Sequence, residues 1–577
     1  MNRVRTPRPH VYLGIGAVWV AALAWFAPRL WSLMALADSP VEAIALGFFV
    51  LFVPLAWLYG LYNVGMFVAA ALYRRRRVPG EADPVPAHKL PPVALLYTTY
   101  NDFVEASALS CLGQDYEAFH LYLLNDSTEE RDRDRVDAFA ARHPENVSVV
   151  RRPDREGFKA GNLNHALSGV AQEPVFALVD ADEVLPPDFL SRTVPRLVAD
   201  PGCGFVQANH ESNPDTQGAL PLAMGIGIDI HWRWYQPLRN DYGFVMLLGH
   251  GAVVRREAWE SVGGFPPLVS EDLAFALRLR EQGWRGYFAE DVVCYEDFPD
   301  SVRAFRVRHM KWTRGTTEFL HRETGRLLRA RKVSWTEKLD ILFPTLGLPL
   351  SLFWFLYLLD ANLVLGMMFG ARQDLTLELG GMAFTLPTWG LNEGFSSLHT
   401  AEFLVITLLT FSAPVLIFLA DLWRQPGDLA RFLSKSTVLY ASLGPISFVG
   451  VASYLFSGRA TFLVTGDRGA RPTSRSLRDG VRRFLTNPHP DLHLLQFFEV
   501  AIGLTFAVGS VVFFQPSTFG LALAVRAMPV LHHLNWDPPA ARRLSRVPVT
   551  LSVAGRLRGV AGASGLQTVC CGCGWRV

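Results

Sequence analysis

Asp180-Ala181-Asp182 closes the apolar run at residues 175–179. Two carboxylates one residue apart, at the end of a buried strand, suit a hard divalent cation. Mg²⁺ and Mn²⁺ take carboxylate and phosphate oxygens together, so the pair also suits a diphosphate carried by the metal. By itself the spacing equally describes a solvated turn, and the neighbours decide. Three earlier apolar runs lead into Tyr97-Thr98-Thr99-Tyr100-Asn101-Asp102, Asn125-Asp126-Ser127 and a stretch from Arg155 to Asn164 that contains Lys159-Ala160-Gly161-Asn162. Asn, Asp and Gly are ordinary turn residues. Four successive strands with polar ends are another matter, because they line one crevice beyond the carboxyl ends of an open α/β sheet. Farther on, Ser270-Glu271-Asp272 opens a helix-like segment. Arg308-His309-Met310-Lys311-Trp312 places two cations and an indole close together in sequence.

The elements that must position these groups are legible as well. Runs at residues 93–97, 121–124, 147–150 and 175–179 are apolar throughout, as strands covered on both faces must be. They alternate with helix-like segments, which predicts a mostly parallel α/β sheet. Of the 577 residues 50% are hydrophobic and only 19% charged, against about a quarter charged in soluble domains. Part of the chain therefore lives in lipid. A net charge of +2 excludes a general nucleic-acid binder, which needs a large excess of cations. The six cysteines make no disulfide framework in a chain of this length. Cys111, Cys203 and Cys294 read as small core residues. Cys570, Cys571 and Cys573 lack the spacing of a zinc site and sit in an irregular tail.

Residues 11–37 and 43–73 each exceed the roughly 20 residues that cross a bilayer. The first is too long, and too quickly followed by the second, for a cleaved signal peptide. Arg3, Arg5 and Arg8 precede the pair and Arg74-Arg75-Arg76-Arg77 follow it, so both flanks are expected in the cytoplasm. Spans return at 341–370 and 401–423, with a polar external loop between them. Residues 437–456 are apolar but interrupted by Gly444-Pro445, and 494–514 and 516–534 carry Glu499 and Arg526. The expected division is a transmembrane hairpin at 1–77, a cytoplasmic domain at 90–322, a membrane domain at 323–534 and a tail at 535–577. His231-Trp232-Arg233-Trp234-Tyr235 suits either the membrane surface, with Arg322, Arg326, Arg329, Arg331 and Lys332, or the core.

In this order the motifs resemble glycosyltransferase family 2, and within it the membrane-embedded, cellulose-synthase-like processive β-glycan synthases. The resemblance covers residues 93–315, with a further motif near Phe462. It implies a GT-A-like α/β cytoplasmic domain inserted between α-helical transmembrane segments. It assigns Thr99, Tyr100 and Asp126 to the nucleotide, Lys159 and Asn162 to the diphosphate and ribose, and Asp180 and Asp182 to donor and metal, Mg²⁺ or Mn²⁺. Gly249-His250-Gly251, with Arg255-Arg256 after it, and Glu271 fall on the acceptor pocket. Asp272 falls on the general base. Glu296 and Pro299 match the Glu-x-x-Pro that precedes the family's Gln-x-x-Arg-Trp. That pentad appears here with Lys311 in the leaving-group position, without arginine's bidentate fork, and Trp312 as the plate under the acceptor sugar. Arg308 replaces its glutamine. Phe462, Val464 and Thr465 resemble a gating loop, with Asp467 in place of its lysine; such a loop would require residues 437–456 to lie in the membrane interface.

The implied activity is inverting transfer of a sugar, glucose first, from a UDP-sugar to a growing polysaccharide fed outward through the membrane part. The implied setting is multi-pass, in a bacterial inner membrane with the catalytic domain in the cytoplasm. The implied partners are the donor, a glycan acceptor, the bilayer and export subunits that the sequence does not identify. Two rivals remain. One is transfer of a single sugar to a lipid or polyprenyl phosphate, against which the 308–312 segment argues. The other is a transporter with a nucleotide-sugar-sensing domain, for which only Asp360, Glu499 and Arg526 supply charge inside spans.

Overall fold

The computed structural model describes residues 8–76, 90–460 and 500–508, with short interruptions. The candidate gating loop at Phe462, Val464 and Thr465 and the cysteine-bearing tail lie outside the described residues.

Two long apolar helices, α1 (His10–Ser32) and α2 (Pro40–Arg76), open the chain. The next part of the chain builds an eight-stranded sheet: β1 (Val93–Thr99), β2 (Phe119–Asn125), β3 (Val147–Val150), β4 (Val175–Asp180), β5 (Glu183–Val184), β6 (Cys203–Ser212), β7 (Ala252–Arg255) and β8 (Arg285–Glu296). Its order is β3-β2-β1-β4-β7-β6-β8-β5. The first four strands pair in parallel, as their apolar runs predict. Along β4, Phe176 and Leu178 point into one core while Val175, Ala177 and Val179 point into the other. Both faces are covered by helices, so no polar position interrupts the run.

Helices α3 (Glu105–Leu112), α4 (Glu130–Arg142) and α6 (Phe189–Ala199) cover one face through Ala108, Phe139 and Val194. The other is covered by α5 (Phe158–Gly169), α7 (Ala219–Tyr242), α8 (Arg256–Ser261) and α9 (Glu271–Gln282), through Leu163, Trp232, Trp259 and Phe275. Each such side chain taken from water contributes about 1.5–3 kcal/mol.

The second half of the sheet departs from simple alternation. Strand β7 is antiparallel to both β4 and β6, and β8 is parallel to β6. Strands β6 and β8 therefore end on the same edge as β1 and β4, and β7 begins there. This reversal brings residues 249–251, just before β7, to the carboxyl end of β4.

Beyond the sheet, α10 (Val302–Arg329) is followed by α11 (Trp335–Leu359). Ser334 caps α11, accepting from the Glu337 N–H, while the Glu337 carboxylate accepts from the Ser334 N–H. Three helices among the described residues are long and apolar enough to cross a membrane: His10–Leu36, Pro40–Arg75 and Trp335–Leu359. A fourth candidate is the bent pair Ala401–Thr410 and Val415–Leu422. The helix Leu443–Ser457 has 15 residues, short of the roughly 20 of a full crossing. It packs on α10, with Tyr454 Oη 2.9 Å from His321 Nδ1. Trp232 and Trp234 are both buried, which resolves the alternative left open by the sequence. Trp232 lies among His210 and Phe288, and Trp234 stacks on Phe67 of α2 and donates to Asp421 at 2.7 Å.

Candidate functional site

The carboxyl ends of β1 and β2 are locked to each other by their own turn residues. Asn101, in a left-handed conformation (φ 56°), donates its backbone N–H to Ser127 Oγ at 2.9 Å. Its side-chain oxygen accepts from Thr128 N and Glu129 N, at the start of α4. Asp102 accepts from Thr99 Oγ1 at 2.9 Å and from Tyr100 N at 2.7 Å. Burial, and then the nearby charges of Asp182 and Asp180, push the Asp102 carboxyl up to about 7 against the pull of those two hydrogen bonds. Sequence reasoning placed Asp102 in this strand end but gave it no role.

Asp126, after β2, is held by Arg152 in a two-pronged pair, 2.9 Å from Nε to Oδ1 and 2.6 Å from Nη2 to Oδ2. Both side chains are almost fully buried. Arg155 lies flat on Tyr100, 3.4 Å from the ring centre, and its Nε is 3.9 Å from Asp126. Thr99, Tyr100 and Asp126 are thus brought together, with two arginines that the sequence reading did not single out. The available signal was the run Arg151-Arg152-Pro153-Asp154-Arg155 after β3.

Lys159 and Asn162 lie three residues apart on α5, on one helical face. Asn162 is buried and donates to Leu124 O at 3.1 Å, tying α5 to the end of β2. Lys159 reaches Asp180 Oδ1 and also donates to Gly249 O at 3.0 Å. Asp180 further accepts from Thr98 Oγ1 at 2.9 Å. Burial opposes ionisation of Asp180, but the Lys159 ammonium, with His250, brings its carboxyl down to about 2. Asp182 is exposed. These hard oxygen donors, with surplus negative charge reaching Asp102, fit a divalent cation.

Gly249 and Gly251 adopt φ of 84° and 56°, conformations that favour glycine. A Cβ on Gly249 would lie 3.2 Å from Asp272 Oδ2 and 3.6 Å from Lys159 Nζ. One on Gly251 would collide with His210 Nε2 at 2.2 Å and Glu183 Oε1 at 2.5 Å. The loop thus threads between the two groups of carboxylates with no room to spare. His250 is pushed up to about 9: burial works against its charge, but Glu183 beside it prevails.

Asp272 and Glu271 form the first turn of α9. Asp272 accepts from Leu273 N at 2.7 Å. Burial raises both carboxyls, Glu271 to about 8 with the help of Asp272. Lys311 on α10 is pushed down by burial and by Arg308, while Asp180 and Asp182 pull it back up. Lys311 therefore lies within electrostatic reach of Asp180 and Asp182. Arg308 covers Trp312, 4.5 Å from the ring centre, and lies 5.3 Å from the centre of the Phe298 ring. Its Nη2 is 3.4 Å from Glu296 Oε2. The arginine that replaces a neutral amide is thereby neutralised by the glutamate that opens Glu-x-x-Pro.

One sequence expectation is corrected. Arg255 and Arg256 are not beside the acceptor pocket. Because β7 runs antiparallel, Arg255 pairs with Val175 at the opposite end of β4. There the two guanidinium groups bond main-chain oxygens of Cys203, Leu197, Leu167 and Glu173.

Residues 175–418 match the family model described as glycosyl transferase family group 2. The chain is similar to the protein named probable glucomannan 4-beta-mannosyltransferase 6 of Oryza sativa subsp. japonica, 32% identical over 34% of this chain and 34% of that one. It is also similar to glucomannan 4-beta-mannosyltransferase 7 of Arabidopsis thaliana, 28% identical over 39% of this chain and 41% of that protein. The chain thus spans about a third to two-fifths of the length of these curated relatives. Among solved structures, the mannosyltransferase PcManGT from Pyrobaculum calidifontis, in complex with GDP-Man and Mn²⁺, aligns with a TM-score of 0.39 at 20% identity, covering 66% of this chain and 99% of that one. The segment similar to that family takes in Asp180, Asp182, Asp272 and the Arg308–Trp312 stretch, in a chain that also has helices long and apolar enough to cross a membrane.

Proposed function

We propose that this chain is a membrane-bound inverting glycosyltransferase that moves a hexose from a nucleoside-diphosphate sugar to a hydroxyl of a growing polysaccharide. The observation that carries the reading is Gly249, whose absent side chain leaves Asp272 on one side and Lys159 with Asp180 on the other. A donor held by one set and an acceptor held by the other meet across that glycine. Asp180 and Asp182 would hold Mg²⁺ or Mn²⁺, which when bound supplies positive charge to the diphosphate. Thr99, Tyr100 and Asp126, with Arg152 and Arg155, form the proposed nucleotide end. Asn162 contributes by fixing the floor of that end.

The attacking hydroxyl gives its proton to Asp272 as its oxygen bonds to the anomeric carbon. The bond from that carbon to the diphosphate oxygen breaks, and the nucleoside diphosphate departs towards Lys159 and Lys311. Preorganised cations at the departing oxygen are worth most in a water-poor site. Gly249, His250, Glu271 and Trp312 shape the acceptor side. The names of the plant relatives favour mannose over glucose as the sugar, a shift from the expectation carried by sequence resemblance. The arginine flanks of the hairpin favour catalysis on the cytoplasmic face, with a product passed outward. We retain the division at 1–77, 90–322, 323–534 and 535–577 as part of this proposal.

Membranes containing the chain, incubated with Mg²⁺ or Mn²⁺ and radiolabelled GDP-mannose or UDP-glucose in parallel, test the reading. The expected product is polymer-sized and β-linked, with mannose the preferred sugar. A product confined to solvent-extractable lipid would replace the polymer with single-sugar transfer.

A further inference from the structure

Behind the donor carboxylates lies a second cluster with different chemistry. Glu183 of β5, His210 of β6 and Cys294 of β8 are all buried, and their ligand atoms lie within 4.8 Å of one another. The three come from three strands and share no sequence motif. His210 Nε2 and His250 Nδ1 each sit 3.4 Å from Glu183 Oε1. Yet Glu183 Oε1, both ring nitrogens of His210 and Nδ1 of His250 make no hydrogen bond. Beyond these long contacts with Glu183 the buried ring nitrogens of His210 have no hydrogen bond, and a buried polar atom left so costs about 1–3 kcal/mol.

The surroundings are prepared for a partner. The other oxygen, Oε2, accepts from Gly251 N at 3.1 Å and Asp180 N at 3.4 Å, which fixes the carboxylate. The His210 ring is stacked between Trp232 at 4.6 Å and His250 at 4.2 Å. The space beside Glu183 Oε1 and His210 Nε2 is kept by Gly251, where a single Cβ would intrude on both. Supporting contacts of this kind orient metal ligands.

We propose that Glu183, His210 and Cys294 bind a zinc ion, with His250 beside Glu183 at the edge of the site. A nitrogen, oxygen and sulfur donor set is borderline-soft and selects Zn²⁺ over Mg²⁺ or Mn²⁺. Tetrahedral ligands at zinc distances stand about 3.3 Å apart, close to the observed separations from Glu183 Oε1. On binding, the Cys294 thiol gives its proton to solvent and its sulfur becomes an anionic ligand beside the Glu183 carboxylate. The site is structural: it staples β5, β6 and β8 directly beneath Asp180-Ala181-Asp182. It does not depend on the glycosyl-transfer reading.

The full chain, purified in detergent and dialysed against Mg²⁺ without transition metals, is assayed for bound metal. About one zinc per chain is expected, falling by roughly tenfold or more in Cys294→Ser and His210→Gln and unchanged in Asp182→Asn. Exchange with Co²⁺ should add a thiolate-to-cobalt absorption band that only the sulfur-containing site produces. Wild-type protein with no bound transition metal and no such band overturns the proposal. So does a zinc content that both ligand variants leave unchanged. The wild-type cobalt spectrum decides even where a variant fails to fold.

Discussion

Asp272 carries the most exposed prediction at the scale of single residues. Its carboxylate oxygens face Leu273 N on one side and the Gly249 backbone on the other. Asp272→Asn keeps the shape and removes the base, so kcat should fall by about 10²–10⁴-fold with donor affinity unchanged. Turnover and donor titration on one preparation check both halves. The pH dependence follows with its sign: burial raises the Asp272 carboxyl above its ordinary value, only partly offset by Lys159 and His250. The base works ionised, so kcat/KM should still be climbing with pH where an ordinary carboxylate has levelled off. A profile flat from the ordinary carboxylate range upward removes Asp272 as base. Asp102 makes a second prediction. Its carboxyl is raised to about 7, so the folded chain holds that proton more tightly than the unfolded one. Its contribution to stability is present at low pH and is lost as pH rises from the ordinary carboxylate range through about 7. Asp102→Asn keeps the acceptor for Tyr100 N and should flatten that loss, as read from thermal unfolding in detergent at a series of pH values without divalent cations.

Elements explain what was legible and what was not. Strands β1 to β4 announced themselves because both faces of a parallel strand need apolar residues, and the start of α9 announced itself through Ser270-Glu271-Asp272. The later strands hid. Strand β6 buries Gln207, Asn209 and His210, polar residues that break any apolar run, and β8 carries Glu290 and Asp291 in its middle. Glu183, His210 and Cys294 share no local spacing because each comes from a different strand, and only the register of β5, β6 and β8 unites them. Arg255 and Arg256 were misplaced for the same reason, since the direction of β7 is a tertiary fact. Arg308 was visible as a departure, but its partner Glu296 was not. The loop before β7 gives the test at this scale. Gly249→Ala places a methyl 3.2 Å from Asp272 Oδ2 at a φ of 84°. It should cost about 1 kcal/mol or more in stability and lower kcat, with donor binding retained. Equal kcat in the variant would mean that the loop does not position Asp272.

The whole molecule is knotted together at Asp340. This fully buried carboxylate near the start of α11 accepts from Tyr12 of α1 at 2.7 Å and from Phe244 N at 2.8 Å. Arg239 of α7 pairs with it, Nε to Oδ2 at 3.1 Å. Two candidate spans and the sheet domain thus share one charge. Asp340→Ala leaves Arg239 buried without its partner, at a cost of about 3–5 kcal/mol. Thermal unfolding in detergent should show a large loss, smaller when Arg239→Met is combined with Asp340→Leu. A single variant as stable as the wild type would show that the knot is ornamental. Phe244 stands five residues ahead of Gly249, so the same carboxylate that grips the two spans also fixes the segment leading to the reaction centre. One carboxylate thereby serves as a hinge pin for the helices and for the loop before β7, and both are expected to loosen together when it is removed.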